Sequence, residues 1–139
     1  MVVSLSDLKL AFEFVSSGGM GQNEAYLDRQ SGKIYWHSEF GYNQEELPDH
    51  IDDERYIPIP DKRELDLGKP LVLDFAREFL PDDCDEVRHI FSRRGAYRRY
   101  KDLLVRRGAL ERWYDFSNKS EETALREWCA ENGIELNDT

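Results

Sequence analysis

Apolar positions at spacings of three and four open the chain. Leu5, Leu8, Phe12 and Val15 mark one face of a helix, with Ser4 and Asp7 as its capping box and Gly18-Gly19 as its stop. Residues 18–23 read as a flexible joint, so the first helix is expected to be loosely attached. The period then changes to two. Residues 26–28 and 33–37 alternate around Arg29-Gln30-Ser31-Gly32, a β-hairpin signal with Gly32 suited to a positive φ. Ile34 and Trp36 share one face of the second strand, Tyr35 and His37 the other. Residues 56–60 read as a third strand, which Pro58 confines to a sheet edge.

Helical spacing returns with Leu67, Leu71, Phe75 and Phe79, and Pro70 fits only the first turn. Pro81-Asp82-Asp83 ends that helix and offers caps for the next, which carries Val87, Ile90 and Phe91. Gly95 precedes a helix over residues 96–107, closed by Gly108. Leu110, Trp113 and Phe116 begin another, interrupted near Ser117-Asn118-Lys119-Ser120. The last helix turns Leu125, Trp128 and Cys129 inward and ends at Asn132-Gly133, with Ile134 placed for the contact that follows a glycine C-cap. The expected fold is α+β: a small antiparallel three-stranded sheet, hairpin plus edge strand, with an N-terminal helix and a mainly helical C-terminal half. A length of 139 residues fits one domain, with the helix over 1–18, a β-rich part over 24–60 and a helical part over 66–134.

Composition narrows the classes of function. A formal net charge of −10 argues against a general nucleic-acid binder or a membrane-surface protein. No apolar run reaches the length of a bilayer span, and Asp7, Lys9 and Glu13 spoil any signal-peptide core. Two cysteines, Cys84 and Cys129, far apart and without a CxxC spacing, make neither a disulfide scaffold nor a zinc site. A cytoplasmic setting is expected.

The fragments RGAYRRYKDLL (94–104), RRGALERWYDF (106–116) and ALREWCAENGI (124–134) resemble a known family. So do the hairpin LDRQSGKIYW (27–36) and LPDDCDEVRHIF (80–91). In this order they are similar to the small bacterial proteins of uncharacterised protein family 0158, over residues 26–136. The resemblance implies no activity and assigns no catalytic residue.

One stretch combines charge with pattern. Arg93, Arg94, Arg98, Arg99, Lys101, Arg106, Arg107 and Arg112 are opposed only by Asp102 and Glu111. On a wheel of about 100° per residue, Tyr97, Tyr100, Leu103 and Leu104 fall on one side of 96–107. Arg98, Arg99, Lys101 and Arg106 fall on the other, beside Asp102. The candidate binding face is therefore Arg94, Arg98, Arg99, Lys101 and Arg106. Such a run is ordinarily solvated, or paired with acids such as those of residues 45–54. As a site it suits an anion, since arginine makes bidentate contacts with carboxylate and phosphate. An acidic protein partner comes ahead of RNA or a nucleotide phosphate, because the molecule as a whole repels polyanions. Tyr97, Tyr100, Trp113, Tyr114 and Phe116 could stack bases, but their spacing fits core packing better, with Tyr114 the one turned outward.

Evidence for an enzyme is thin. His37 and Glu39 share a strand face without a third group. Cys84 and His89 do not share a helix face, and His50 stands in the acidic run. Asp49, Asp52 and Asp53 lack the glycine and terminal glutamate of a calcium loop. With no phosphate loop, nucleophile elbow or cofactor fingerprint, no catalytic residue, metal or cofactor is assigned, and an enzyme ranks third.

Overall fold

A computed structural model describes residues 2–17, 22–38 and 47–137. Its elements, in order, are β1 (Val2–Ser4), α1 (Leu5–Ser16), β2 (Asn23–Asp28), β3 (Ile34–Ser38) and β4 (Tyr56–Pro58). The helices α2 (Lys69–Phe79), α3 (Cys84–Ile90), α4 (Ala96–Arg106) and α5 (Leu110–Glu131) follow, and then β5 (Glu135–Asn137). A single 3-10 turn, Pro81–Asp83, leads into α3. The α+β architecture matches the sequence expectation: an N-terminal helix, an antiparallel sheet in the order β3-β2-β4, and a mainly helical C-terminal half. The chain divides into two compact units, residues 1–65 with 124–139, and residues 66–123.

The sheet unit is organised by β2, which pairs with both neighbours. Tyr26 lies opposite Tyr35 on β3 and opposite Pro58 on β4. Pro58 thus stands on an edge strand, where its missing N–H costs no ladder bond. The hairpin closes through Gly32, whose φ of 79° lies where only glycine is unstrained. Ser4 caps α1, accepting a bond from the Asp7 N–H at 3.4 Å. The helix buries Leu5, Leu8, Ala11 and Phe12, and Phe14 meets Trp36 edge to face at 4.9 Å. The glycine stop expected at Gly18-Gly19 lies outside the described residues.

Asp28 and Ser38 are the polar residues buried here among those described, and Asp28 carries a charge. Asp28 is 1% exposed, and four donors satisfy its carboxylate. Arg55 grips it with Nε at 2.8 Å and Nη2 at 2.9 Å. The Gln30 N–H adds a bond of 2.9 Å and the Ser31 hydroxyl one of 2.8 Å. The Arg55 guanidinium, above all, holds this carboxyl well below the usual range despite burial.

The helical unit is held by an aromatic seam. Phe75, Tyr100 and Trp113 are buried, and Trp113 stands edge-on to Phe75 at 5.3 Å and to Tyr100 at 5.1 Å. Phe79 and Phe116 extend the seam from α2 to α5. Leu71, Val72, Val87, Ile90, Leu103 and Leu104 fill the rest of this core. Pro70 sits in the first turn of α2, as its missing N–H requires.

Four expectations need correction. First, α5 is one continuous helix of 22 residues, with no interruption at Ser117–Ser120. Polar residues there cost little helix propensity. The Ser117 hydroxyl returns a bond to the Tyr114 carbonyl at 3.2 Å, and Lys119 pairs with Asp115 at 3.0 Å one turn back. Second, β1 and β5 form a separate two-stranded parallel sheet, with Val3 opposite Leu136. Strands of three residues are too short to show a period, so the pairing left no local signature. Third, Asp83 caps nothing with its side chain, because its carboxylate is committed to Arg107. Fourth, Tyr97 is 49% exposed; it lies in the first turn of α4, and its ring stands perpendicular to that of Phe91 at 5.0 Å.

Candidate partner-binding face

Helix α4 carries the face. Its N-cap, Gly95, has a φ of 73° and supplies no side-chain cap, so the chain turns sharply from α3 into α4. Buried Tyr100, Leu103 and Leu104 fix the inner side of the helix. Arg94, Arg98, Arg99, Lys101 and Arg106 are all exposed, as the sequence pattern implies.

The cations divide by what they touch. Arg107 makes a fork-to-fork pair with Asp83, both bonds at 3.0 Å, and this holds the Asp83 carboxyl below its usual range. Arg106 reaches Glu86 at 3.6 Å. These two join α4 and its C-terminal turn to the start of α3. Arg99 folds back to donate to the Arg94 carbonyl across the corner. Lys101 lies 5.8 Å from the Tyr114 ring, and Arg112 lies 5.3 Å from that of Phe79. The side chains of Arg93, Arg94 and Arg98 have no hydrogen-bond or ion-pair partner among the described residues, and they cluster where α3 turns into α4. The five predicted residues are thus brought to one helix and its entry, but in three situations: Arg99 and Arg106 brace the fold, Lys101 lies over the Tyr114 ring, and the side chains of Arg94 and Arg98 have no partner among the described residues.

Pattern reading missed the apolar component. Val105 is 61% exposed, and Tyr97 stays 49% exposed although its ring meets Phe91. Tyr114, placed outside by the sequence argument, is 41% exposed. Sorting residues into apolar and charged sides of the wheel assigned Tyr97 inward and gave Val105 no place. The spacing Tyr97-Lys101-Val105, a run of i, i+4 and i+8, was the available signal.

The other suspected chemistry separates. Glu39 lies outside the described residues, while half-buried His37 stands opposite Glu24 in the β2–β3 register. The Tyr26 hydroxyl donates to Glu24 Oε2 at 2.8 Å, and burial first, then this carboxylate, pushes the phenol up to about 12. Glu24 and Tyr26 share a cleft of about 230 Å³ with Asp61 and Glu64. Burial and the neighbouring Asp61 raise the Glu64 carboxyl. Asp49, Asp52, Asp53 and Glu54 are exposed, like the solvated loop expected there. Among the described residues, no three His, Cys, Asp or Glu side chains converge on a common metal position. No described helix is long and apolar enough to cross a membrane.

Fold and face together define a small α+β protein with a mixed basic and aromatic helical surface. The chain belongs to the Uncharacterised protein family (UPF0158), whose model matches residues 3–137. That match takes in most of β1 and all of α1 and β5, as well as the segments whose motifs carried the resemblance. No curated protein and no solved structure matches the chain.

Proposed function

We propose that this protein is a non-enzymatic, cytoplasmic binding protein that docks an acidic protein partner on the outer face of α4. One observation carries the reading: the side chains of Arg93, Arg94 and Arg98 have no hydrogen-bond or ion-pair partner among the described residues. The same chain supplies carboxylates to Arg55, Arg77, Arg106 and Arg107. Acids are plentiful, and these cations are left without them. Arginine also suits the role, since its planar fork pairs with a carboxylate more selectively than an ammonium does. The free thiols of Cys84 and Cys129 support a reducing compartment.

Reversing Arg94 and Arg98 together to glutamate tests this. Partner recovery in a pull-down should disappear while the thermal melt stays that of the parent. Unchanged recovery by a folded double variant overturns the reading. Recovery of crosslinked RNA that falls steeply with salt, and is lost in the same variant, replaces the protein partner with nucleic acid.

A further inference from the structure

We infer that the segment recognised by this face is an acidic amphipathic helix, seated by apolar side chains on Tyr97 and Val105 and fixed by carboxylates on Arg94, Arg98 and Lys101. The inference rests on the proposed docking role and deepens it by naming the partner's chemistry.

Charge complementarity sets the acidic side. Among the described residues, the Arg94 and Arg98 guanidinium groups have no partner, and Lys101 lies over the Tyr114 ring. Asp102 is the single acid among them, and it disfavours a polyanion that would lay phosphates along the whole stripe. Apolar exposure sets the other side. Tyr97 and Val105, 49% and 61% exposed, flank Lys101 one turn away in each direction. Alternating cationic and apolar groups match the composition of protein interfaces, where Tyr and Arg dominate the binding energy.

The helical form follows from the backbone. The interior N–H and C=O groups of α4 are bonded within the helix, so the face offers only side chains. An extended peptide would find no strand edge there to satisfy its own backbone. A helix satisfies itself and can present apolar residues at i, i+4 and i+7 to a stripe of the same period.

Two synthetic peptides of about 18 residues, long enough to hold helical structure, would test this by fluorescence anisotropy with the full chain. Both carry the same glutamates; one has leucine at i, i+4 and i+7, and the other serine. The leucine peptide should bind about tenfold tighter. The double variant Tyr97→Ser/Val105→Ser should erase that difference, and Arg94→Glu/Arg98→Glu should weaken both peptides. Amide shifts of the parent protein should move within 94–106 on peptide addition, which locates the site even where a variant folds poorly. Equal affinity for the two peptides overturns the amphipathic helix but leaves the acidic-partner reading standing. Binding of neither peptide overturns both. Self-association of the free protein that is lost in the Tyr97→Ser/Val105→Ser variant assigns the face to a second copy and also overturns the proposal.

Discussion

The two units treat charge in opposite ways. Residues 66–123 hold twelve Lys and Arg against twelve Asp and Glu, whereas the remainder of the chain holds seven against seventeen and carries the whole net charge of −10. The sheet unit buries an ionised carboxylate and satisfies it completely, with Asp28 held by Arg55, Gln30 and Ser31. The helical unit buries an aromatic seam and keeps its ions outside, some as braces and some free. A whole-chain charge is therefore a poor guide to the region that carries the arginines. Repulsion of polyanions by the molecule as a whole is an average over two unlike parts, because the excess acid belongs to the sheet unit and the helical unit is neutral.

If the helical unit depends on its seam, its largest vulnerability is Trp113. Trp113→Ala removes a ring wedged between Phe75 and Tyr100 and should destabilise by about 3–5 kcal/mol in chemical denaturation. A loss below about 1 kcal/mol would sink the seam as the organising feature. Next comes the helix that belongs to both units. Asn118 is exposed in the middle of α5, so Asn118→Pro should cost about 3 kcal/mol through the lost bond and the ring clash alone. Near-neutrality would restore a break at Ser117–Ser120.

The sheet unit should fail through Asp28. Asp28→Ala leaves the Gln30 N–H and the Ser31 hydroxyl without their acceptor and should cost about 1–3 kcal/mol. The Arg55 side chain is 41% exposed and can recover water, which keeps the loss at that level rather than that of a fully buried pair. The sign of the pH dependence is set by the depressed carboxyl. The folded value lies below the unfolded one of about 3.9, so the stabilisation is complete above about pH 4 and is lost as pH falls further. Denaturation midpoints followed from pH 7 to pH 2 should fall more steeply for the parent than for Asp28→Asn. Parallel curves would mean that the buried pair does not set acid stability.

What was legible in the sequence follows the same division. Elements with a sustained period were readable: α1 from Leu5, Leu8 and Phe12, the hairpin from its alternation around Gly32, and α4 from Tyr100, Leu103 and Leu104. The edge position of β4 was readable because Pro58 forbids a central one. Features fixed by distant partners were not. Nothing local distinguishes Val2–Ser4 as a strand, since its partner lies more than a hundred residues away. Asp83 looks like a cap until Arg107 is brought beside it. The polar run in α5 resembles a break because propensity alone does not register that both flanking segments are anchored, at Trp113 and at Leu125. At the candidate face, the arginines could be named from sequence but not sorted into braces and free groups, because sorting depends on where Asp83 and Glu86 lie.

That sorting yields the smallest effect and a sharp discrimination. Arg107 engages a carboxylate whose side chain is only 12% exposed, so Arg107→Ala should lower the denaturation midpoint by a small but measurable amount. Arg98 touches no partner among the described residues, so Arg98→Ala should leave stability within about 0.5 kcal/mol of the parent. The order should reverse for binding. Arg98→Ala should weaken the acidic peptide severalfold through one lost charge-assisted contact, while Arg107→Ala should leave its affinity unchanged because that guanidinium is already committed to Asp83. Denaturation and anisotropy on the same pair of variants read both quantities. If Arg98→Ala destabilises and Arg107→Ala weakens binding, the braces and the free cations have been assigned the wrong way round. The arginines at the α3–α4 corner would then belong to the fold and not to a partner.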